Sequence, residues 1–133
     1  MKSKFENRAY IRYAVAGDVA FKTTKDPTHK IYAELIDLSY LGFSVYLKEK
    51  IEEGTDVEFE INFYVLYQSL IGKGKVQHVA ETQRYLKTYY RTGIEFTDVN
   101  KDFVLSILNE ILAKRAKKAK EASQNKTEYF GPI

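Results

Sequence analysis

The 133-residue chain has no cysteine and no tryptophan, and it contains only two prolines and seven glycines. The absence of cysteine excludes disulfides and thiolate metal sites, which suits a reducing cytosol. No apolar run approaches the roughly 20 residues of a membrane-spanning helix, and the first residues lead into no signal-peptide core. We therefore expect a soluble, cytoplasmic protein with no membrane insertion.

Excess charge of one sign is also small. The net charge is +3, and five lysines and arginines without any acidic residue are concentrated in residues 114–120. A domain that binds a nucleic-acid polymer usually carries a larger basic excess on its folded part. We therefore expect no nucleic-acid polymer as a partner, and we interpret residues 114–120 as a solvated helix end. A small barrel that binds single strands on its tyrosines, of which the chain has 11, stays open as an alternative.

Signals of catalysis are missing as well. The two histidines, His29 and His78, lie in separate contexts, and neither has an aspartate or a second histidine at the spacing of metal ligands. The chain contains no nucleophile elbow, zinc-protease motif or Walker loop. We therefore predict that the protein is not an enzyme and that it binds no metal and no cofactor.

The hydrophobic residues, 44% of the chain, form a pattern typical of strands. Apolar and polar residues alternate in six runs, which predicts six strands over residues 10–22, 30–39, 42–48, 57–63, 67–80 and 85–97. Gly17 interrupts the first run and predicts a bulge or bend there. No segment between the runs is suited to a crossover helix, so the pattern indicates one antiparallel sheet or barrel.

After residue 99 the period of the pattern changes from 2 to about 3.6. Asn100 is a plausible N-cap, and an apolar stripe follows at Phe103, Val104, Ile107, Leu108, Ile111 and Leu112. This predicts an amphipathic helix that packs on the barrel and closes an open end, with one or two basic turns beyond Leu112. We divide the chain into a flexible lead-in (1–8), the barrel with its closing helix (9–113), and a basic helix extension with a frayed tail (114–133).

Two short motifs carry most of the functional information. Residues 8–12 read R-x-x-x-R at the start of the first strand, and residues 37–42 read D-x-S-x-x-G where the second strand meets the third. The guanidiniums of Arg8 and Arg12 can hold phosphate groups. Asp37 and Ser39 supply polar groups on the face that also holds Leu35, since residues two apart in a strand share a face.

Each motif also has a purely structural interpretation. The arginines can be ordinary surface residues, one of them paired with Asp18 or Glu34. Asp37 and Ser39 can form a turn that ends the strand, and Gly42 can supply a positive φ to that turn. These alternatives stay open for each motif taken alone.

The two motifs in this order, within a barrel followed by a helix, resemble the PilZ domain, whose members bind the second messenger cyclic di-GMP. The resemblance covers roughly residues 7–113 and implies a mainly β fold, a six-stranded antiparallel β-barrel of the split-barrel type with a C-terminal amphipathic α-helix. It implies that Arg8 and Arg12 contact phosphate and stack on guanine. It also implies that Asp37 and Ser39 bind guanine edges and that Gly42 leaves room for the base.

Three further residues are weaker candidates. Some PilZ domains carry an additional arginine directly before the first motif arginine, which favours a stacked ligand dimer. This chain has Asn7 at that position, so we expect one ligand molecule per site. Gly93 is expected to lie under the ligand, with Arg91 as an extra cation beside it. Their alternatives are an ordinary strand glycine and a solvated arginine.

The sequence thus predicts a cyclic di-GMP receptor without catalysis. We expect ligand binding to order the segment around Arg8 onto the barrel and to change the surface that a downstream effector protein contacts. The alternative is a PilZ-like protein-interaction module that does not bind the nucleotide.

Overall fold

The computed structural model describes the backbone of residues 11–130 and the side chains of residues 11–121. Within residues 11–130, seven strands and one helix follow one another: β1 Tyr13–Ala14, β2 Gly17–Thr23, β3 Ile31–Leu38, β4 Gly42–Leu47, β5 Asp56–Phe63, β6 Gln68–Arg84, β7 Lys87–Asp98 and α1 Lys101–Phe130.

The strands close into a six-stranded antiparallel barrel in the order β3-β2-β5-β6-β7-β4, with β4 pairing back onto β3. The short β1 also pairs with β3, beyond the end of β2, so β1 and β2 are two parts of the first predicted strand. The interruption falls between them, at Val15 and Ala16. Gly17 pairs in regular register with β5. Toward β3, the register shifts by one residue between the pairs Ala14–Asp37 and Asp18–Glu34, so the irregularity predicted around Gly17 is present and lies directly before it. A Cβ on Gly17 would lie 2.4 Å from the Asn62 carbonyl oxygen, so the glycine also permits this close approach.

The barrel interior is filled by the apolar residues of the alternating pattern. Phe43 packs edge-on against Phe59, with ring centroids 4.8 Å apart, and both rings also contact Phe96. Each large apolar side chain that is buried contributes about 1.5–3 kcal/mol to the free energy of unfolding. The largest side chains that are fully buried are Phe21, Phe43, Phe63, Leu38, Leu47, Ile61, Leu70 and Ile107.

Helix α1 begins as the sequence indicates. The Asn100 Oδ1 atom accepts a hydrogen bond from the Phe103 backbone N–H at 3.1 Å, which is the geometry of an N-cap. The buried stripe ends at Ile111, because Leu112 is 44% exposed. The helix then continues to Phe130, beyond the one or two turns expected after Leu112. Within the described part of the chain, no helix is long and apolar enough to cross a membrane.

The β6–β7 hairpin is longer than the two predicted strands. Its strands pair up to Arg84 and Lys87, past the last rung that β7 shares with β4. The two turn residues, Tyr85 and Leu86, have φ angles of 53° and 64° and are almost fully exposed. Bulky side chains rarely adopt this left-handed conformation, so the turn is strained. The sequence offers no Asn-Gly signal there, which is why the hairpin was not predicted at its full length.

Candidate functional site

Two arginines converge on one buried carboxylate at the outer surface of the barrel. Asp37 is 5% exposed, and its Oδ1 accepts a hydrogen bond from Arg12 Nη1 at 3.1 Å. Its Oδ2 accepts one from Arg91 Nη2 at 3.4 Å. Arg12 Nη1 also donates to Ser44 Oγ at 3.0 Å. About half of each arginine side chain stays exposed, so both can contact a further anion.

Arg12 pairs with an acid other than the two that its structural interpretation suggested. Its partner is Asp37, the acid of the second motif, rather than Asp18 or Glu34. Asp18 instead accepts a hydrogen bond from Asn62, and Glu34 accepts one from Arg84. The parts of the two motifs that the structure describes are therefore in direct contact.

A β-bulge in β3 gives Asp37 its orientation. The register with β4 shifts between Leu35 and Asp37, so that Ile36 is the extra residue. Leu35 and Leu38 are consequently both buried in the core. The expectation that Asp37 shares the face of Leu35 is wrong, because the bulge reverses the alternation and turns the Asp37 side chain to the outer surface.

Ser39 forms the turn between β3 and β4. Its Oγ accepts hydrogen bonds from the Leu41 and Gly42 backbone N–H groups, both at 3.2 Å. The hydroxyl donates to the Gly42 carbonyl at 3.2 Å, and that carbonyl also accepts the Ser39 backbone N–H at 2.8 Å. A serine hydroxyl has one hydrogen to donate and two lone pairs. The turn uses all three, in agreement with the structural interpretation of Ser39.

Gly42 is needed for packing between strands. A Cβ at this position would lie 2.1 Å from the Ile94 carbonyl oxygen, far inside any allowed contact. Among the glycines that the structure describes, only Gly54 has a positive φ. The expectation that Gly42 supplies a positive φ is therefore wrong, and its requirement is the close approach of β4 to β7.

Gly93 differs from Gly42 in this respect. A Cβ on Gly93 would meet only the His78 Cβ, at 3.8 Å, which is an ordinary contact. Packing therefore does not require a glycine here. Gly93 pairs with Ser44 on one side and His78 on the other, and its missing side chain leaves an open surface beside Arg91.

A cleft of about 390 Å³ lies over this open surface, a size suited to a small-molecule ligand. Its lining residues are Arg12, Ser39, Leu41, Gly42, Gln77, His78, Gly93, Ile94 and Glu95. A larger concavity of about 680 Å³ beside Pro27 and Asn100 contains none of the motif residues, so it is the smaller cleft that we connect with them.

Gln77 and His78 are among the five lining residues that were not identified from the sequence as site residues. The register of β6 shifts between Val76 and His78, which makes Gln77 an extra residue. Gln77 and His78 are consequently both exposed at the cleft, while Val79 packs on the core. The alternating pattern of residues 67–80 did not predict this bulge. The one signal in the sequence is that two polar residues, Gln77 and His78, stand next to each other.

Lys101 connects helix α1 to the Ser39–Gly42 turn. Its Nζ donates to the Tyr40 carbonyl oxygen at 2.6 Å and lies 4.4 Å from the centre of the Tyr40 ring. Burial lowers the pKa of Lys101, and the nearby Glu95 carboxylate partly opposes this shift. A lysine at the first position of a helix is unfavourable for the helix dipole. Its contact with the turn gives a reason for its place there.

Arg12, Ser39, Gly42 and Gly93 therefore line one cleft. Asp37 and Arg91 are joined to it because Asp37 binds both Arg12 and Arg91. Asn7 and Arg8 lie outside the described residues. In the part of the chain that is described, no group of three histidine or acidic side chains is arranged to hold a metal ion.

Comparisons with known proteins support the fold. No protein-family model matches the chain, and no curated protein matches it. The PilZ domain of YcgR from Escherichia coli, solved with c-di-GMP, superposes with a TM-score of 0.67 at 18% identity, covering 85% of this chain and 97% of that structure.

Two longer structures match to a similar degree. YcgR from Escherichia coli in complex with c-di-GMP gives a TM-score of 0.69 at 18% identity, covering 88% of this chain and 50% of that one. The inhibitor of motility MotI/DgrA from Bacillus subtilis gives 0.66 at 14%, covering 89% and 53%. The chain thus spans about half the length of these two proteins. The predicted PilZ-like fold is confirmed.

Proposed function

We propose that the protein is a receptor that binds cyclic di-GMP in the cleft beside Gly93. The observation that carries this proposal is the convergence of Arg12 and Arg91 on the buried Asp37. Beside them, Gly93 leaves the strand surface open, although packing would allow a side chain there. Half-exposed guanidiniums offer both charge for phosphates and flat faces for stacking on guanine. Two of the structural neighbours were solved with this nucleotide.

Asp37 has two roles in this proposal. It orients the two arginines through one oxygen each, and it accepts N–H groups from a guanine edge when an arginine turns to a ligand phosphate. The ligand phosphate then replaces the Asp37 oxygen as the partner of that arginine. The arginine and Asp37 therefore each keep a partner. Arg8 contributes a further guanidinium from the segment before Arg12.

Ser39 and Gly42 contribute through the shape of the cleft. The Ser39 hydroxyl is fully used in the turn, so we assign it to holding the cleft wall rather than to direct contact with guanine. Gly42 lets that wall lie against β7. Gly93 forms the floor, on which a flat base can lie. With Asn7 before Arg8, we propose one ligand molecule per site.

The proposed output is a change in the surface offered to an effector protein. Ligand phosphates would draw the segment around Arg8 onto the barrel, and a partner would recognise the ordered form. This account requires no catalysis and places the receptor in the cytoplasm, where the nucleotide would be encountered.

The second candidate is a PilZ-like interaction module that does not bind nucleotide. One observation favours it: Arg12, Asp37, Ser44 and Arg91 form one hydrogen-bonded network, and Ser39 closes its own turn. Both motifs thus have structural functions that need no ligand.

An NMR titration separates the two candidates. Cyclic di-GMP is added to the ¹⁵N-labelled full chain, with GMP as the control nucleotide. The receptor predicts saturable shifts of the Gly42 and Gly93 amides, with Gly17 and Gly72 as internal controls because they line no part of the cleft. An unchanged spectrum would support the interaction module. Shifts confined to Gly17 and Gly72 would place the ligand elsewhere and overturn the proposed site.

A further inference from the structure

The barrel-facing stripe of α1 changes from apolar to basic along its length. Val104, Ile107 and Ile111 are buried against the barrel. Lys114, Arg115 and Lys118 follow Ile111 by three, four and seven residues, which places them on the same helix face. The cations therefore continue the face that looks toward the barrel.

This basic face forms one wall of a groove of about 560 Å³. The opposite wall is the β5–β6 loop, where Tyr64 and Val65 are more than half exposed and Tyr67 is 95% exposed. Tyr67 has a φ of 52°, a conformation that costs a tyrosine energy. The groove thus has a cationic wall and an apolar, aromatic wall. Its floor includes the buried Val15 and Ile111.

The charges in the groove are only partly used. Arg115 donates to the Ala14 carbonyl oxygen and lies 5.9 Å from the centre of the Tyr13 ring, so it is held in place. Among the ion pairs within residues 11–121, none includes Lys114 or Lys118. No acidic residue lines the groove. Asp18 lies beside the groove, where it is hydrogen-bonded to the Tyr64 side chain. Lys114 and Lys118 stay available to a ligand that enters the groove.

We propose that this groove docks an acidic, amphipathic segment of a partner protein. Carboxylates of the segment would pair with Lys114 and Lys118, and its apolar side would lie against Tyr64, Val65 and Tyr67. Val15 and Ile111 in the groove are buried, so a side chain that enters the groove suits them better than a flat bilayer surface. This proposal does not depend on the nucleotide site.

The test uses peptides as the probe. A phage-displayed library of random peptides is selected on the full chain without nucleotide, and the enriched peptides are measured by fluorescence anisotropy. The variant K114E/K118E reverses the charge in the groove. K117E/K120E makes the same change in charge on exposed positions that follow Ile111 by six and nine residues, about 120° and 180° around the helix from Ile111.

We expect enriched peptides that combine acidic and apolar residues. K114E/K118E should weaken their binding by about tenfold or more, and K117E/K120E by less than about threefold. Y67G, which removes the ring at a position where glycine is favoured, should also weaken binding while the fold is retained.

The proposal is overturned if no peptide or only basic peptides are enriched, or if both double variants lose affinity equally. It is also overturned if phosphatidylserine vesicles or oligo-dT bind the full chain with the same dependence on Lys114 and Lys118 as the peptides. Those results would identify a membrane or a nucleic acid as the ligand.

Discussion

The Arg12 guanidinium and the Asp37 carboxylate are bound to each other, with Nη1 3.1 Å from Oδ1. They come from separate motifs, 25 residues apart, and each limits what the other can do. Asp37 is buried, and a buried carboxylate without a partner lowers the free energy of unfolding. Arg91, on the second oxygen, shares the pairing, so Asp37 keeps one cationic partner when the other arginine is removed.

This sharing predicts non-additive effects of substitution. R12A and R91A alone should each lower the free energy of unfolding by about 1 kcal/mol or less, since the other cation remains and half of each side chain is exposed. The double variant should lose more than the sum, because Asp37 is then unpaired. Adding D37A should restore part of the loss. Urea unfolding measures all four, and strictly additive losses would contradict the shared pairing.

Glycines 42 and 93 should respond in opposite ways to a methyl group. G42A forces a Cβ against the Ile94 carbonyl and should cost about 2 kcal/mol or more. G93A has space and removes backbone entropy from the unfolded chain, so stability should be unchanged or rise by up to about 1 kcal/mol. Thermal unfolding checks both. An equal loss in the two variants would show that Gly93 is also needed for packing.

Lys101 gives a prediction for the pH dependence of stability. Burial lowers its pKa below the ordinary 10.5, so between the lowered value and 10.5 the folded protein binds fewer protons than the unfolded chain. The contribution of Lys101 to the free energy of unfolding should therefore rise with pH in that window. Urea unfolding from about pH 8 to pH 10 measures the free energy of unfolding of both wild type and K101M. The value for wild type minus the value for K101M should increase toward higher pH. K120M serves as the exposed control. A difference that falls with pH would contradict the burial of the ammonium group.

The strained hairpin turn predicts a stabilising change. Y85N/L86G places residues that accept positive φ at both turn positions and should raise the free energy of unfolding by about 1 kcal/mol or more. Y85A/L86A removes the same apolar groups but keeps Cβ atoms at positive φ, so it is the matched control. Equal stability of these two variants would mean that the turn stores no strain.

The sequence predicted the parts of the fold that depend on periodicity. Alternation located the strands, and the change of period with Asn100 located the start of α1. The bulges at Ile36 and Gln77 could not be read from it, because one extra residue leaves the local pattern plausible in either register. The direction of the Asp37 side chain was misjudged for this reason.

Contacts between residues that are far apart in the sequence also could not be predicted. The motif positions identified Arg12 and Asp37, but not that they bind each other or that Ser44 joins them. Lys101 and Tyr40 are 61 residues apart, so nothing local in the sequence connects them. A Cβ would clash at Gly42 and not at Gly93, because a carbonyl oxygen of the neighbouring strand faces only Gly42. Only the pairing register of the strands shows this, and the sequence does not contain it.

The central claim is that cyclic di-GMP binds over the bare surface of Gly93. Calorimetric titration of the full-length wild type, G93V and T97V tests it most directly, with circular dichroism as the check on folding. Thr97 is an exposed position of the same strand that lines no part of the cleft, so T97V is the matched control. The account predicts saturable binding close to one ligand per chain for wild type and T97V, and affinity at least about tenfold weaker for a folded G93V. No binding by folded wild type, or binding by G93V as tight as wild type, would contradict it.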